Sequence, residues 1–485
     1  MEGVKIRHKL KILTNDQVDT IHESTLKILE RTGVRFDSEN AIKRLLKAGA
    51  AKHPTRKNVV IFPRGLMNET VKKITPWGTY YARDPKNDQT YDGEHVFAHC
   101  LGGNPGILDL ETGKQRSATL DDVEKVTKIM DATPNCHSVG NLVVATDVPP
   151  ELLVVKTQEA MMKNTSKCLS GYALNVDTVD ILWKMWVAVA GSDDELRKRP
   201  LMDVYASPSS PLTYDAHAAD VMIRGAEYGV PVDLVPCPIS GGTAPITLAG
   251  GLAQQNAELL AGVVLVQTVS TKIPIQYSGR LSMMDLRFGN NVWGNPEMAL
   301  ASAATVQIAH KYKMIADVYG VTSDVNMWGM QMGLERMMTA LLPAMAGADN
   351  LSGIGGAWDN AASYESLVID NEIYSDVFRA VRGFDVDNDT LALDIIDSVG
   401  HMGNFLAQPH TMKYLRKGEL RISPLFDKRT AERIRKEGIR PLQEVARDEA
   451  KRILREHQPL PLEKDAEKEL AKTVKEAEKK LMRRH

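Results

Sequence analysis

"IADVYGVTSD" (residues 315–324) runs directly into "VNMWGMQMGLERMM" (325–338), and the join between them decides the fold. The first half is a short apolar run ending in small polar residues, as a buried strand does at a turn. The second half carries apolar residues at helical spacing. The same rhythm recurs in HVFAHCLGG, HSVGNLVVA, CLSGYA, MDVYASPSS, VDLVPCPISGG, PIQYSG and LSGIGGAW, each followed by a helical pattern. With Val96, Ser138, Cys168, Met202, Val232, Pro274, Ile315 and Leu351 as markers, the spacings are 42, 30, 34, 30, 42, 41 and 36 residues. Alternation of strand and helix demands parallel strands, and eight units over about 280 residues suit an α/β (β/α)8 TIM barrel, usually about 250 residues long. An open doubly wound sheet is the competing architecture, but no GxGxxG or GxxxxGK[ST] loop supports a nucleotide-binding version of it.

Working outward, "NDQVDTIHESTLKILERT", "SENAIKRLLKAGA" and "PRGLMNETVKKI" read as helices with the strand "NVVIF" among them, an α-rich extension over residues 1–90. The barrel then occupies 91–410, with "GILDLETGKQ" as a small hairpin inserted before the helix at Leu120. The stretch from Thr247, "TLAGGLAQQNAELLAGVVLVQTV", is apolar around most of its circumference, so burial on more than one side is expected. A homo-oligomer interface is a reasonable use for it. Residues 411–485 shift to alternating charge and read as a solvated helical tail with little core.

Lys plus Arg number 60 and Asp plus Glu 62, a formal net charge of -2, so nothing draws the chain broadly to nucleic acid or an acidic membrane. No signal-peptide core and no run near the ~20 apolar residues of a membrane span is present, which reads as cytoplasmic. The four cysteines are far apart and form no CxxC pair, arguing against disulfides and structural zinc.

Ligands of such a barrel bind where the strands' C-terminal ends meet their loops. The turns there offer the small polar residues Asn141, Ser278, Ser323, Asp324 and Asn326. They also offer Arg280, with Tyr172, Tyr205, Tyr277, Trp328 and Trp358 as rings at or beside strand ends. HExxH, GxSxG and a strand-end lysine are all missing, so metal hydrolysis, acyl transfer and Schiff-base chemistry lose weight; no metal site is expected. Aromatic walls with few titratable groups suit a quaternary ammonium, attracted at ~0.5 to 2 kcal/mol per ring. Any single ring could equally fill a loop core. Met327, Met330, Met332, Met337 and Met338 suit core packing, with a partner-docking rim as the alternative. Gln331 and Glu335 share a helix face and could orient a substrate or a neighbour, while His410 stays open between a structural and a site role.

The stretch 319–356, then "SYESLVIDNEIYSDVFRAVRGFDVDNDTLALDIIDSVG" and "NFLAQPHTMKYLR", resembles the trimethylamine methyltransferase superfamily, in particular members that lack pyrrolysine. The likeness runs from the N-terminal helices to about residue 427, and Ser363 to Ile373 is its most specific part. It implies a barrel that moves a methyl group from an amine to the Co(I) cobamide of a separate corrinoid protein, with no tightly bound cofactor of its own. Where trimethylamine-using members carry pyrrolysine, this chain has the ordinary residues Val325 to Met327. Ser323, Asp324, Gln331 and Gly333 match the relatives' "SDAK..D.QAG", whereas Asn326 and Gly329 replace its lysine and second aspartate. A substrate that is already quaternary, such as glycine betaine, proline betaine or carnitine, would dispense with pyrrolysine. Arg280 is then the first choice for a betaine carboxylate, with His410 and Asn326 behind it. Asn326, Gln331 and Glu335 are the candidate catalytic positions. Two other readings stay open: a barrel lyase or decarboxylase with Asp324 or Glu335 as base, and a non-catalytic quaternary-amine binder.

Overall fold

A computed structural model describes residues 3–100, 102–171, 173–358 and 360–482. Its main sheet contains eight parallel strands, β1 (His95–Cys100), β2 (Ser138–Val139), β3 (Cys168–Leu169), β4 (Val204–Ala206), β5 (Val232–Leu234), β6 (Ile275–Ser278), β7 (Ile315–Tyr319) and β8 (Asn350–Ile354). These are the eight runs picked out above. Backbone pairing runs β3-β2-β1-β8-β7-β6-β5-β4. That is the neighbour order of a (β/α)8 barrel. At the seam between β3 and β4 the link is a side chain: Asp203 accepts from the Gly171 amide at 2.8 Å and from Ser170 Oγ at 3.0 Å.

A helix follows each strand: α1 (Leu120–Ala132), α2 (Leu153–Asn164), α3 (Val176–Ala190), α4 (Ala216–Tyr228), α5 (Leu248–Gln267), α6 (Pro296–Lys311), α7 (Met330–Ala346) and α8 (Tyr364–Arg382). Thr119, Asn175, Asp215, Asn295 and Ser363 cap α1, α3, α4, α6 and α8 through side-chain oxygens. Each such cap contributes about 1 kcal/mol and fixes where a strand-end loop stops.

The lower, N-terminal end of the barrel is filled. Gly78–Tyr80 pairs with Gln89–Tyr91, and Tyr80, Ala82 and Tyr91 pack with Phe97, Cys168 and Ile315 into one apolar cluster. Tyr91 meets Tyr80 and Phe97 edge-on, with ring centroids 5.4 and 5.1 Å apart.

The N-terminal lead has the helices Asn15–Arg31, Glu39–Lys47 and Arg64–Lys72. It also contributes to a four-stranded sheet of Thr213–Tyr214, Val34–Phe36, Val59–Ile61 and Ala51–Lys52, so it is less purely helical than its pattern suggests. The expected hairpin is present as Gly106–Leu108 against Gln115–Ser117.

Two expectations change. Every residue of α5 from Gly251 to Val266 is buried, but by its own chain: the helix packs against Asn15–Arg31, where Asn256 donates to Thr25 Oγ1 at 3.0 Å. That face is therefore not available to a second copy. The charged tail is also not merely solvated. Leu442–Glu456 packs on α8 and Lys464–Met482 on α3, burying Ala446, Ala450, Leu470, Val474, Ala477 and Leu481. In contrast, residues 382–445 include no buried side chain. All four cysteines are free, and no helix among the described residues is long and apolar enough to cross a membrane.

Candidate active site

Parallel register puts paired residues on the same side of the sheet, and here it gathers polar groups inside the barrel. Tyr205 pairs with Asp233, Asp233 with Gln276, and Ser278 with Asp317. Asp317 is the hub. It receives His99 Nε2 at 3.0 Å, Ser278 Oγ at 2.9 Å and Gln276 Nε2 at 3.3 Å, and it forms an ion pair with Arg280. Arg280 also donates to the Asp317 carbonyl at 2.8 Å, and Tyr319 places its ring 5.0 Å from the guanidinium carbon. Ser278 Oγ bonds Asp233 as well.

Burial alone would raise the Asp317 carboxyl, but Arg280 and His99 outweigh it and hold the group below the ordinary carboxylate range. Asp233 goes the other way, pushed well up by burial and then by Asp317. Burial likewise raises Asp203. Solvent still reaches this interior, since the His99 side chain is 22% exposed and Asp233 is only half-buried. Three buried carbonyl oxygens, Gln276 Oε1, Asn350 Oδ1 and Asn141 Oδ1, have no hydrogen-bond partner among the described residues. Unpaired acceptors of this kind are costly unless a ligand or water meets them.

Above the interior, two adjacent residues of α7 fasten two loops. Glu335 receives Ser323 Oγ at 2.7 Å, the Asp324 amide at 2.8 Å and Gln331 Nε2 at 2.5 Å. Asp324 in turn accepts the amides of Trp293 at 2.5 Å and Gly294 at 2.8 Å. Burial, assisted by Glu335, raises the Asp324 carboxyl. Arg336 forms a buried ion pair with Asp370 and donates to the Gly356 carbonyl, while Asp370 accepts the Gly355 amide at 2.9 Å. The outcome is aromatic. Trp328 and Trp358, one on each fastened loop, meet edge-to-face at 5.6 Å, and Trp293 meets Tyr319 in the same way at 4.9 Å. Met327 and Met330 stand exposed beside them, with Leu286 and Phe288 exposed on the hairpin Ser282–Asp285/Asn290–Val292.

The family model for trimethylamine methyltransferase matches residues 3–481. This chain belongs to the trimethylamine methyltransferase family. It is thereby a methyltransferase, one with ordinary residues throughout 325–327. It is 32% identical over 466 residues to a trimethylamine methyltransferase of Desulfitobacterium hafniense, covering 96% of this chain and 93% of the relative. It is 31% identical over 408 residues to a glycine betaine methyltransferase from the same species, covering 84% of each. A crystal structure of the Methanosarcina barkeri monomethylamine methyltransferase superposes with a TM-score of 0.49 at 12% identity, covering 96% of this chain and 97% of that one.

The segment Ser363 to Ile373 builds scaffold. Tyr364 donates to Asp122 at 2.6 Å, Glu365 pairs with Arg447, Asp370 with Arg336, and Glu372 with Arg421. Asn135 Nδ2 donates to Asn371 at 2.9 Å. These bonds fix α8 against α1, α7 and the tail, and so set the loop that presents Trp358.

Of the residues singled out in the sequence, Ser323, Asp324, Trp328, Gln331, Glu335 and Trp358 do come together at the mouth, and Tyr205 shares the inward face with Asp233. Others are corrected. Tyr277 points away from the interior, donating to Asn256 of α5 at 3.2 Å, because it alternates with the inward Gln276 and Ser278. Arg280 is inside but already bound to Asp317, so it is not a free receptor for a carboxylate. Asp324 and Glu335 spend their oxygens on loop hydrogen bonds, which weakens either as a base. Asn326 is exposed. His410 lies beyond the C-terminal end of α8, bonded to the Asp389 carbonyl at 3.2 Å and packed on Tyr414. The lower end of β1 is joined to the same region through Val4–Lys5 and Arg7, which sets His410 at the end opposite the mouth. Tyr172 lies outside the described residues. Met332 is buried and Met337 packs on the core, while Met327 and Met330 are rim. Attention to turn residues missed His99, Asp233, Gln276, Asp317, Trp293 and Tyr319. A signal existed: a polar residue in the middle of a buried parallel strand has nowhere to go but inward.

Proposed function

We propose that this enzyme moves a methyl group from a permanently cationic amine, of the glycine betaine, proline betaine or carnitine class, to the Co(I) corrinoid of a separate protein. The observation that carries this reading is the pairing of trimethylamine methyltransferase membership with ordinary residues at 325–327. A neutral tertiary amine is a poor methyl donor because it would leave as an amide anion. A quaternary nitrogen departs as a neutral amine and needs neither a general acid nor a covalent adduct.

The corrinoid supplies the nucleophile. What the protein supplies is placement and exclusion of water. Trp328 and Trp358 offer ring faces at ~0.5 to 2 kcal/mol each to the cation. Gln276 Oε1, Asn350 Oδ1 and Asn141 Oδ1 offer acceptors that want positive charge and no donated proton from the protein. Positive charge on nitrogen fades toward the transition state, so moderate holding by rings and amides serves turnover better than a tight ionic cage. The exposed Met327, Met330, Leu286 and Phe288 fit the apolar face of a corrinoid brought to the mouth.

The test is to mix the enzyme with a reduced corrinoid protein and glycine betaine, carnitine, γ-butyrobetaine, proline betaine or choline, and follow the Co(I) absorbance. Loss of Co(I) with at least one of them is expected. No loss with any, together with turnover of a substrate in the absence of corrinoid protein, would replace this reading with a lyase; tight binding without turnover would leave a binder.

A further inference from the structure

We propose that Asp233 is a neutral carboxylic acid in the free enzyme, and that an organic cation entering the barrel displaces its proton to solvent. The inference rests on the cationic-substrate reading above. It begins from a count of hydrogens. Ser278 Oγ bonds both Asp233 and Asp317, and Gln276 Nε2 approaches the same oxygen at 3.2 Å. A hydroxyl has one proton to give. Asp317 is fixed as the ionised acceptor, because Arg280, His99 and Gln276 all present donors to it. Ser278 therefore donates to Asp317, and the remaining contact is a hydrogen bond only if Asp233 itself donates to Ser278.

The surroundings agree. The groups that face Asp233 are Asp317 from β7, Asp203 from the start of β4, Ser278 and Arg280 from the end of β6, Tyr80 from the plug beneath and Cys237 beyond β5. Arg280 is the only fixed positive charge among them, and it is engaged by Asp317. A second uncompensated carboxylate so close would be expensive, and the proton removes it.

A quaternary ammonium changes that balance by supplying the missing positive charge. Asp233 then loses its proton to solvent, no covalent bond changes, and the pair becomes carboxylate and cation. Methyl transfer leaves a basic tertiary amine in place of the fixed cation, and one proton returns from solvent to the amine and carboxylate pair before the product leaves. A carbon isostere of the same shape, which carries no charge and takes no proton, gains no such partner, so Asp233 would help select charge.

The experiment is isothermal titration of the enzyme at pH 7 with tetramethylammonium and with glycine betaine, in buffers of different ionisation enthalpy. Release of about one proton per bound cation is expected, with affinity rising up to about tenfold per pH unit below the folded pKa of Asp233. Asp233→Asn, which retains a donor toward Ser278, is expected to bind without proton release or pH dependence. Infrared difference spectra give a second readout: a protonated-carboxyl carbonyl band in the free wild type that vanishes on cation binding and is missing in the variant. Cation binding by wild type with no proton release, or a free enzyme without that band, overturns the proposal and leaves the function standing. No binding by either probe removes the cationic-substrate reading and this inference together.

Discussion

The two ends of the barrel are built from opposite materials. Below, Tyr80, Tyr91, Phe97, Cys168 and Ile315 close the interior by apolar packing, and the edge-on rings bring no charge. Above, the interior is lined by Asp233, Ser278, Asp317, His99 and Arg280, and the mouth is shaped by hydrogen bonds from Glu335 and an ion pair from Arg336. The contrast teaches that, among the described residues, the lower end is closed by apolar packing while the upper end gathers the polar and charged groups. Packing makes a floor whose own contacts are apolar, whereas the upper end takes its shape from charges and so responds to charge.

The largest effect should come from breaking the fastening of the upper end. Asp370→Ala leaves Arg336 buried without a partner, and a loss of about 3–5 kcal/mol in urea unfolding is expected, with methyl transfer impaired because the loop bearing Trp358 is released. Unchanged stability would show that the pair is dispensable. At the floor, Phe97→Ala should cost a similar 3–5 kcal/mol from lost burial, but without altering the KM of the folded enzyme. A large KM change from Phe97→Ala would mean the two ends are not separate.

Acid reaches the floor through a neighbour and so tests the limit of that contrast. His137, edge-on to Phe97 at 5.3 Å, accepts the Ala98 amide, and burial, then Lys167, pushes its imidazole down to about 3. Its folded pKa lies below the unfolded value, so its contribution is full above about pH 6.5 and is lost as pH falls toward 3, at about 1.4 kcal/mol per unit. His137→Asn should flatten that slope in chemical unfolding between pH 6.5 and 4; an unaltered slope would remove this histidine from the acid sensitivity. The smallest effect is on the rim. Trp328→Ala should raise KM by roughly 2- to 30-fold, the loss of one ring at ~0.5 to 2 kcal/mol, with the unfolding curve nearly unmoved.

The eight-strand rhythm was readable because each strand is short, apolar and followed by a capped helix, and those features are local. The mouth was readable in part for the same reason: Ser323, Asp324, Gln331 and Glu335 lie within thirteen residues of sequence and fold onto one another. The interior was not. His99, Asp233, Ser278 and Asp317 come from four strands, and only register shows that they share a face. Tyr277 was misplaced by a single step of the same alternation, and His410 by the return path of α8, neither of which a turn-based reading follows. The hydrophobic helix α5 suggested an interface because sequence reveals that a surface is apolar and not which partner covers it; here the cover is Asn15–Arg31.

The most direct measurement compares glycine betaine with N,N-dimethylglycine on the same enzyme and the same reduced corrinoid protein, following Co(I) absorbance. The two donors differ in whether nitrogen is permanently charged. Transfer from the betaine and none from the tertiary amine is the expected result. Transfer from dimethylglycine at a comparable rate would contradict the claim that a fixed positive nitrogen stands in for pyrrolysine.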